Sequence, residues 1–210
     1  MEAPNIEGDM VMAFIKKYNT FIFIGIVVVV CCIAAMNWGG LSLVRKLTTV
    51  FAVFAALHEI EEKVWPGGFF DLMLKKFKLK KEDVDLGRAT LAVSIYWLIL
   101  LGSAWLFDSH AFPLTVTMTL AFFEAFVHTA GIWIHHLKKP YTPGLVTAWC
   151  MAIIAAFAVR ALNGAGIASG KDYLLGAVSW VISFICLFVT IYSGFGKSIP
   201  ELIATVKENK

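Results

Sequence analysis

The chain has 210 residues, of which 59% are hydrophobic and only 16% are charged, and its mean hydropathy is +0.76. Soluble domains are about half apolar and about a quarter charged, so this composition excludes an ordinary soluble protein and predicts an all-α integral membrane protein. The formal net charge of +3 is too small to indicate a nucleic-acid partner.

Six apolar segments are long enough, or nearly long enough, to cross a bilayer, which takes about 20 residues per helix. A Gly-Gly pair at 39–40 follows the first of them, and a Pro-Gly-Gly run at 66–68 stops the second. The second is the least uniform, because only part of it is purely apolar. We predict one transmembrane domain, 1–210, with spans at residues 20–38, 42–65, 88–107, 112–137, 143–162 and 173–195.

Three shorter segments are predicted to lie outside these spans. Residues 69–87 mix aromatic and aliphatic side chains with five lysines, which is typical of a segment on an anionic membrane surface. Residues 10–18 are expected to form a short interfacial helix, and residues 198–210 a short cytoplasmic tail with helical spacing of its apolar positions.

The basic residues predict an orientation. With six spans, 14 of the 18 lysines and arginines fall on one side of the membrane, and Arg45, Lys46, Arg160 and Lys171 fall on the other. The positive-inside rule then places both termini in the cytoplasm, and we expect the protein in a bacterial inner membrane. The second and fourth spans both run inward in this orientation, so polar clusters near their inner ends come to similar depths.

The motif His58-Glu59-Ile60-Glu61-Glu62 ends the apolar run of the second span. Ionisable groups near lipid depth are unfavourable unless they are paired, bound to a metal or open to water. At 100° per residue, the histidine and the last two glutamates fall within one arc of about 100°, whereas Glu59 points elsewhere. Taken alone, this cluster is explained equally well as a helix end that reaches the lipid headgroups.

The fourth span carries a narrower polar stripe. Glu124, His128 and His135 fall within about 40° of one another, and Gly131 shares their face. An acid twelve residues into an apolar helix is hard to explain by packing, and Gly131 leaves room beside the stripe for an ion, a water or a substrate. The two clusters are therefore predicted to form one site.

Imidazole and carboxylate groups are the usual protein ligands of zinc, iron and manganese. His58 with Glu62, and Glu124 with His128, have the i, i+4 spacing that lets two side chains of one helix reach one ion. Glu61 is expected to bridge a second ion or to act as general base. The predicted ligands of one or two such ions are His58, Glu61, Glu62, Glu124, His128 and His135.

The motif, the later helical stripe and the Tyr-Thr-Pro-Gly-Leu segment at 141–145 together resemble the HXXEE-motif family of prokaryotic membrane proteins, over about residues 45–165. The resemblance implies that His58, Glu61, Glu62, His128 and His135 belong to a polar core shared by the family. It implies no reaction.

The hypothesis from the sequence is a metal-dependent membrane enzyme that acts on a lipid or another hydrophobic small molecule. Its carboxylate-rich ligand set slightly favours iron and oxidation, as in di-iron bundles, over zinc-dependent hydrolysis or isomerisation. The alternative is a proton- or ion-coupled transporter that uses the same groups, although the absence of visible inverted repeats counts mildly against it. A non-catalytic scaffold leaves the polar stripes unexplained, and a homo-oligomer is compatible with either function.

Overall fold

The computed structural model describes residues 6–194, and within them the chain forms seven α-helices and no strands. The helices are α1 Ile6–Met36, α2 Leu43–Lys63, α3 Phe69–Lys76, α4 Leu86–Leu106, α5 Phe112–Ile134, α6 Leu145–Gly164 and α7 Gly170–Gly194. Two 3₁₀ turns, Trp38–Gly40 and Lys81–Asp83, lie in the connections. The predicted all-α class is confirmed, while the predicted tail, 198–210, lies outside the described residues.

Five of the described helices, α1 and α4 to α7, are long and apolar enough to cross a membrane, so the chain is an integral membrane protein. The 21 residues of α2 would extend about 32 Å, which is also sufficient length. Helix α2 is less apolar than these five helices, because two cations near its start and the charged residues of its last turn and a half lower its hydropathy. The six-span count therefore stays a prediction.

The helix boundaries agree with the predicted spans to within a few residues from α2 onwards. The first helix differs, because α1 is continuous from Ile6 to Met36 and includes the residues that were predicted to form a separate interfacial helix, 10–18. Residues 10–20 contain neither glycine nor proline, so nothing in the sequence interrupts the helical hydrogen bonds between the two predicted parts.

Helix α2 is enclosed by its neighbours. It packs against α1, α4 and α6, and 11 of its 21 residues are buried, including Phe51 and Ala55 at full burial. A helix covered on three sides can carry ionisable groups that would be strongly unfavourable against lipid. Its enclosure thus explains how the chain accommodates the motif at 58–62.

The second half of the bundle is built on α5, which packs against α6 and α7. Both α2 and α5 contact α6, so the segment that leads into α6 lies beside the C-terminal ends of the other two helices. This arrangement brings the two predicted polar clusters to one end of the bundle.

The basic segment after α2 is folded onto this same end. Phe70, Phe77 and Leu79 pack with Leu86 against Ala89 at the start of α4. The segment therefore turns apolar side chains toward the bundle while most of its lysines are exposed. Its location on a membrane surface remains a prediction.

Candidate metal centre

Four of the six predicted ligands converge at this end of the bundle. One ligand atom from each of His58, Glu62, Glu124 and His128 lies within 4.8 Å of every other, and among the described residues this is the group that could hold an ion. The side chains come in pairs one helical turn apart, two from α2 and two from α5. The i, i+4 spacing thus places the pairs, and the packing of both helices on α6 brings the pairs together.

The distances within this four-residue group suit one small cation. His128 Nε2 lies 3.1 Å from Glu62 Oε1 and 3.5 Å from Glu124 Oε2, and His58 Nε2 lies 3.5 Å and 3.9 Å from the same two oxygens. Ligands at about 2.0–2.1 Å from a tetrahedral ion are about 3.3 Å from one another. The separations of 3.1 and 3.5 Å are close to that value, whereas the 3.9 Å between His58 and Glu124 would have to shorten on ion binding.

Three members of the group are almost completely buried, and Glu124 is the most accessible, with 19% of its side chain exposed. Buried polar atoms are nearly always hydrogen-bonded. His128 Nε2 is an exception, because it makes no hydrogen bond to any protein group although Glu62 Oε1 is only 3.1 Å away. A buried imidazole nitrogen directed between two carboxylates fits a metal ligand and, when the ring is protonated, also fits an ion pair with both acids.

The other ring nitrogen of His128 shows which tautomer is present. The Thr142 hydroxyl donates its hydrogen to the backbone carbonyl of His128 at 2.8 Å and lies 3.3 Å from His128 Nδ1. Because that hydroxyl hydrogen is already committed, Thr142 can only accept from Nδ1–H. The neutral ring then has its lone pair on Nε2, which is the nitrogen inside the four-residue group.

His58 is held in the same way by Thr147, in the first turn of α6. The Thr147 hydroxyl donates to Glu61 Oε2 at 2.5 Å, so it accepts from His58 Nδ1 at 2.9 Å. Nε2 of His58 is therefore also the free nitrogen. Metal-binding histidines usually have their second nitrogen bonded to an oxygen atom that fixes the ring, and both histidines here do.

Glu61 does not belong to the four-residue group. Its carboxylate accepts hydrogen bonds from the Val146 and Thr147 backbone N–H groups, the Thr147 hydroxyl and the Tyr141 hydroxyl. It lies on the α6 side of α2, whereas Glu62, 40° from His58 around the helix, shares the histidine's face. Both Glu61 oxygens are thus occupied at the start of α6, in place of the predicted bridging or general-base position.

The position of Glu61 follows from the lack of a capping side chain at the start of α6. The N-cap of this helix is Gly144, which has no side chain to satisfy the first backbone N–H groups. Glu61 supplies that cap from another helix, and its negative charge is favourable at a helix N-terminus. Burial and the hydrogen bond to Glu61 raise the pKa of Tyr141 to about 12, so the phenol remains a donor at neutral pH.

His135 also lies outside the four-residue group. It is the C-cap of α5, seven residues beyond His128, and seven residues of α-helix extend about 10 Å. The two histidines share a face, as predicted, but that rise separates them too far for one ion. Burial and the nearby Lys76 and Lys75 lower the pKa of His135, so the ring is neutral at pH 7.

Glu59 turns away from the site, as its place on the helix predicts. It is fully buried and pairs with Lys63 one turn later, while its second oxygen, Oε1, has no hydrogen-bond partner. The motif therefore supplies two candidate ligands, one helix cap and one separate ion pair.

Gly144 is packed against the four-residue group more tightly than any side chain would allow. A Cβ atom at this position would be 2.5 Å from His128 Cε1, 2.8 Å from Glu62 Cγ and 2.9 Å from His58 Cε1, and the residue has φ of +94°. Phe69 also packs beside His128, with 5.1 Å between the ring centroids. A cavity of about 180 Å³ reaches Glu62 between Lys63, Phe70 and Lys81.

Helical periodicity and motif spacing assign no role to Thr142 or Gly144. The Pro-Gly pair in the turn at 141–145 does indicate a sharp change of backbone direction before α6. What could not be read from the sequence is that this turn contacts both histidines at once.

The chain matches the family described as "Protein of unknown function with HXXEE motif" over residues 49–159, which is more than half of its length. It therefore belongs to this family, and the predicted resemblance is confirmed. The match includes all four members of the group, Glu61 and the turn at 141–145. No curated protein and no solved structure matches the chain.

Proposed function

We propose that this member of the HXXEE family is a metal-dependent integral membrane enzyme with a single metal ion bound by His58, Glu62, Glu124 and His128. The observation that carries the proposal is the buried convergence of four ligand atoms around the unbonded Nε2 of His128. Glu61 has a positioning role in this proposal, through Thr147, and no longer serves as a bridging ligand.

Charge balance supports a divalent ion. Two ionised carboxylates and two neutral imidazoles carry a charge of −2, which a divalent cation neutralises. Without an ion, protonated histidines would have to balance the two carboxylates in a largely water-free site, where any charge left unpaired is strongly unfavourable. The tautomers assigned through Thr142 and Thr147 leave both histidines in the form that binds metals.

Four ligands rather than six favour one ion over two and remove much of the reason to prefer a di-iron oxidase. The set of two imidazoles and two carboxylates suits zinc, iron or manganese. A redox-active ion would supply oxidation and zinc would supply hydrolysis.

A lipid or another hydrophobic small molecule is the proposed substrate class, because the four-residue group lies inside a bundle whose outer faces are apolar. The cavity beside Glu62, of about 180 Å³, has two lysines and Phe70 in its wall and has room for a polar group rather than a whole lipid. The proposed frame is six spans with α2 as the second, and with the site at the cytoplasmic side.

Metal content tests the proposal directly. Protein purified in detergent without chelator is expected to contain about one equivalent of zinc, iron or manganese by elemental mass spectrometry. His128→Ala is expected to reduce this at least tenfold. His110→Ala is the matched control, because His110 is exposed in the loop between α4 and α5 and should leave the metal content unchanged.

A metal-free protein that takes up none of these ions on addition would overturn the enzyme proposal. The same buried groups would then be candidates for a proton- or ion-coupled carrier. Flux measured in vesicles would identify that function if Glu124→Gln abolished its pH dependence while the protein remained folded.

Thr147→Val provides a finer test of the site. The change keeps the shape and the backbone N–H bond to Glu61 but removes the oxygen that fixes His58 Nδ1. Loss of such a partner typically lowers metal affinity about 10- to 100-fold, and we expect a reduction of that size in chelator competition. Thr119→Val, which removes a hydroxyl bonded only within α5, should leave affinity unchanged.

A further inference from the structure

A second candidate site lies at the opposite end of α2. Helices α1, α2 and α4 enclose an apolar groove of about 310 Å³, whose wall includes Val27, Val30, Ala52, Leu98 and Leu101. The wall has two side chains with polar atoms, Thr48 and Trp105. The Thr48 hydroxyl bonds to its own helix, and Trp105 lies at one end of the groove. The groove therefore suits a hydrocarbon chain.

At one end the groove adjoins a larger cavity whose wall contains both polar and apolar groups. Ile33 and Trp105 line both spaces, and the second, of about 590 Å³, is also lined by Asn37, Gly39 and Arg45. The combined space thus changes from apolar to polar along its length. A ligand that matches it has an apolar chain and a polar head.

The polar end is held in position by contacts of Arg45. Its guanidinium lies 3.2 Å from Asp108, donates through Nε to the Trp105 carbonyl at 3.0 Å, and stacks 4.9 Å from the Trp105 ring. About a third of its side chain remains exposed. Lys46 follows it in sequence, so two cations and one acid give this end a net positive charge.

We propose that this groove binds one anionic phospholipid, with an acyl chain between α1, α2 and α4 and the headgroup phosphate at Arg45. The fixed guanidinium can bind a phosphate with little loss of side-chain freedom. Thirteen residues, or about 20 Å of helix, separate Arg45 from His58, so the lipid site is independent of the metal centre.

Gly102 allows the groove to be filled without disturbing the helix. This residue lines the groove, and a Cβ added to it would meet no atom within 4 Å. Gly102→Leu should therefore place its side chain in the space proposed for the acyl chain. Gly25→Leu is the matched control, because Gly25 is equally open but exposed on the outer face of α1.

Native mass spectrometry of the delipidated protein, titrated with phosphatidylglycerol or phosphatidylcholine, measures both parts of the proposal. Wild type is expected to retain one phosphatidylglycerol with at least a tenfold preference. Gly102→Leu should lower retention of both lipids at least tenfold, and Arg45→Gln should remove the preference alone. Gly25→Leu should behave as wild type.

Equal retention by wild type and Gly102→Leu would mean that the lipid binds nonspecifically to the outer apolar surface, and would overturn the proposal. A preference that persists in Arg45→Gln would overturn the headgroup assignment. A second measurement does not depend on filling the groove with a side chain. Phosphatidylglycerol with brominated acyl chains should quench tryptophan fluorescence more strongly in wild type than in Trp105→Phe. Equal quenching would count against the acyl-chain position.

Discussion

Gly144→Ala is expected to abolish binding of the metal ion and to lower the thermal midpoint of the protein by about 5–15 °C. The new methyl group would have to occupy space already taken by both histidine rings and Glu62, at distances of 2.5–2.9 Å. Non-bonded carbon atoms do not approach this closely, so the rings or the turn before α6 must move. Movement of about 1 Å separates the ligand atoms from their common centre.

The size of the stability effect follows from two contributions. Alanine at φ of +94° is disfavoured by roughly 1–2 kcal/mol, because its side chain is crowded in left-handed backbone conformations. Overpacking of the buried group adds roughly 1–3 kcal/mol. In a protein of this size, each kcal/mol changes the midpoint by about 2–4 °C.

Gly68→Ala separates the two contributions. Gly68 is also the N-cap of a helix, with φ of +97° against +94° at Gly144, but the nearest atom to an added Cβ is 4.0 Å away in Pro143. Gly68→Ala should introduce the backbone strain without the steric overlap, and should keep about one equivalent of metal. If both variants lost metal equally, the backbone would be responsible and the close packing of Gly144 would not matter.

Much of this organisation could be read from the sequence because it depends on local spacing. Helical periodicity placed His58 beside Glu62 and Glu124 beside His128, and it directed Glu59 away from them. The lengths of the apolar segments predicted the long helices, and the predicted boundaries differ from the observed ones by only a few residues after α1. Each of these inferences needs only the geometry of one helix.

The remaining features depend on contacts between segments far apart in the chain. His135 shares the correct face of α5, yet the rise of the helix removes it from the site, a distance that an angular projection does not show. Glu61 is drawn toward α6 because that helix begins at a glycine and lacks a cap of its own. Neither its role nor that of Gly144 is visible until the turn at 141–145 is placed against α2.

Glu61→Ala is expected to destabilise the protein by about 3–5 kcal/mol, a decrease of roughly 10 °C in the thermal midpoint, and to weaken metal binding as a consequence. The change would leave the backbone N–H groups of Val146 and Thr147 and the hydroxyl of Tyr141 without their acceptor. A donor without a partner is unfavourable by about 1–3 kcal/mol when buried, and these three contribute at the lower end because Val146 is exposed and Tyr141 and Thr147 are half-buried. The Thr147 hydroxyl would keep only the Gly144 carbonyl, 3.2 Å away, as its acceptor, so it would hold the His58 ring less firmly.

Two further variants distinguish a helix cap from a ligand. Ser42→Ala removes one local cap bond, to the Arg45 N–H at the start of α2, and should lower stability by only about 1 kcal/mol. Glu61→Gln keeps one acceptor oxygen, but its amide NH₂ group would face the N–H donors of α6. Its stability should therefore lie between those of wild type and Glu61→Ala. At low temperature, where both Glu61 variants are folded, wild-type ion stoichiometry with reduced affinity is expected. Loss of stoichiometry in folded Glu61→Gln would instead make Glu61 a direct ligand, because a positioning group changes how tightly an ion is held rather than how many are bound.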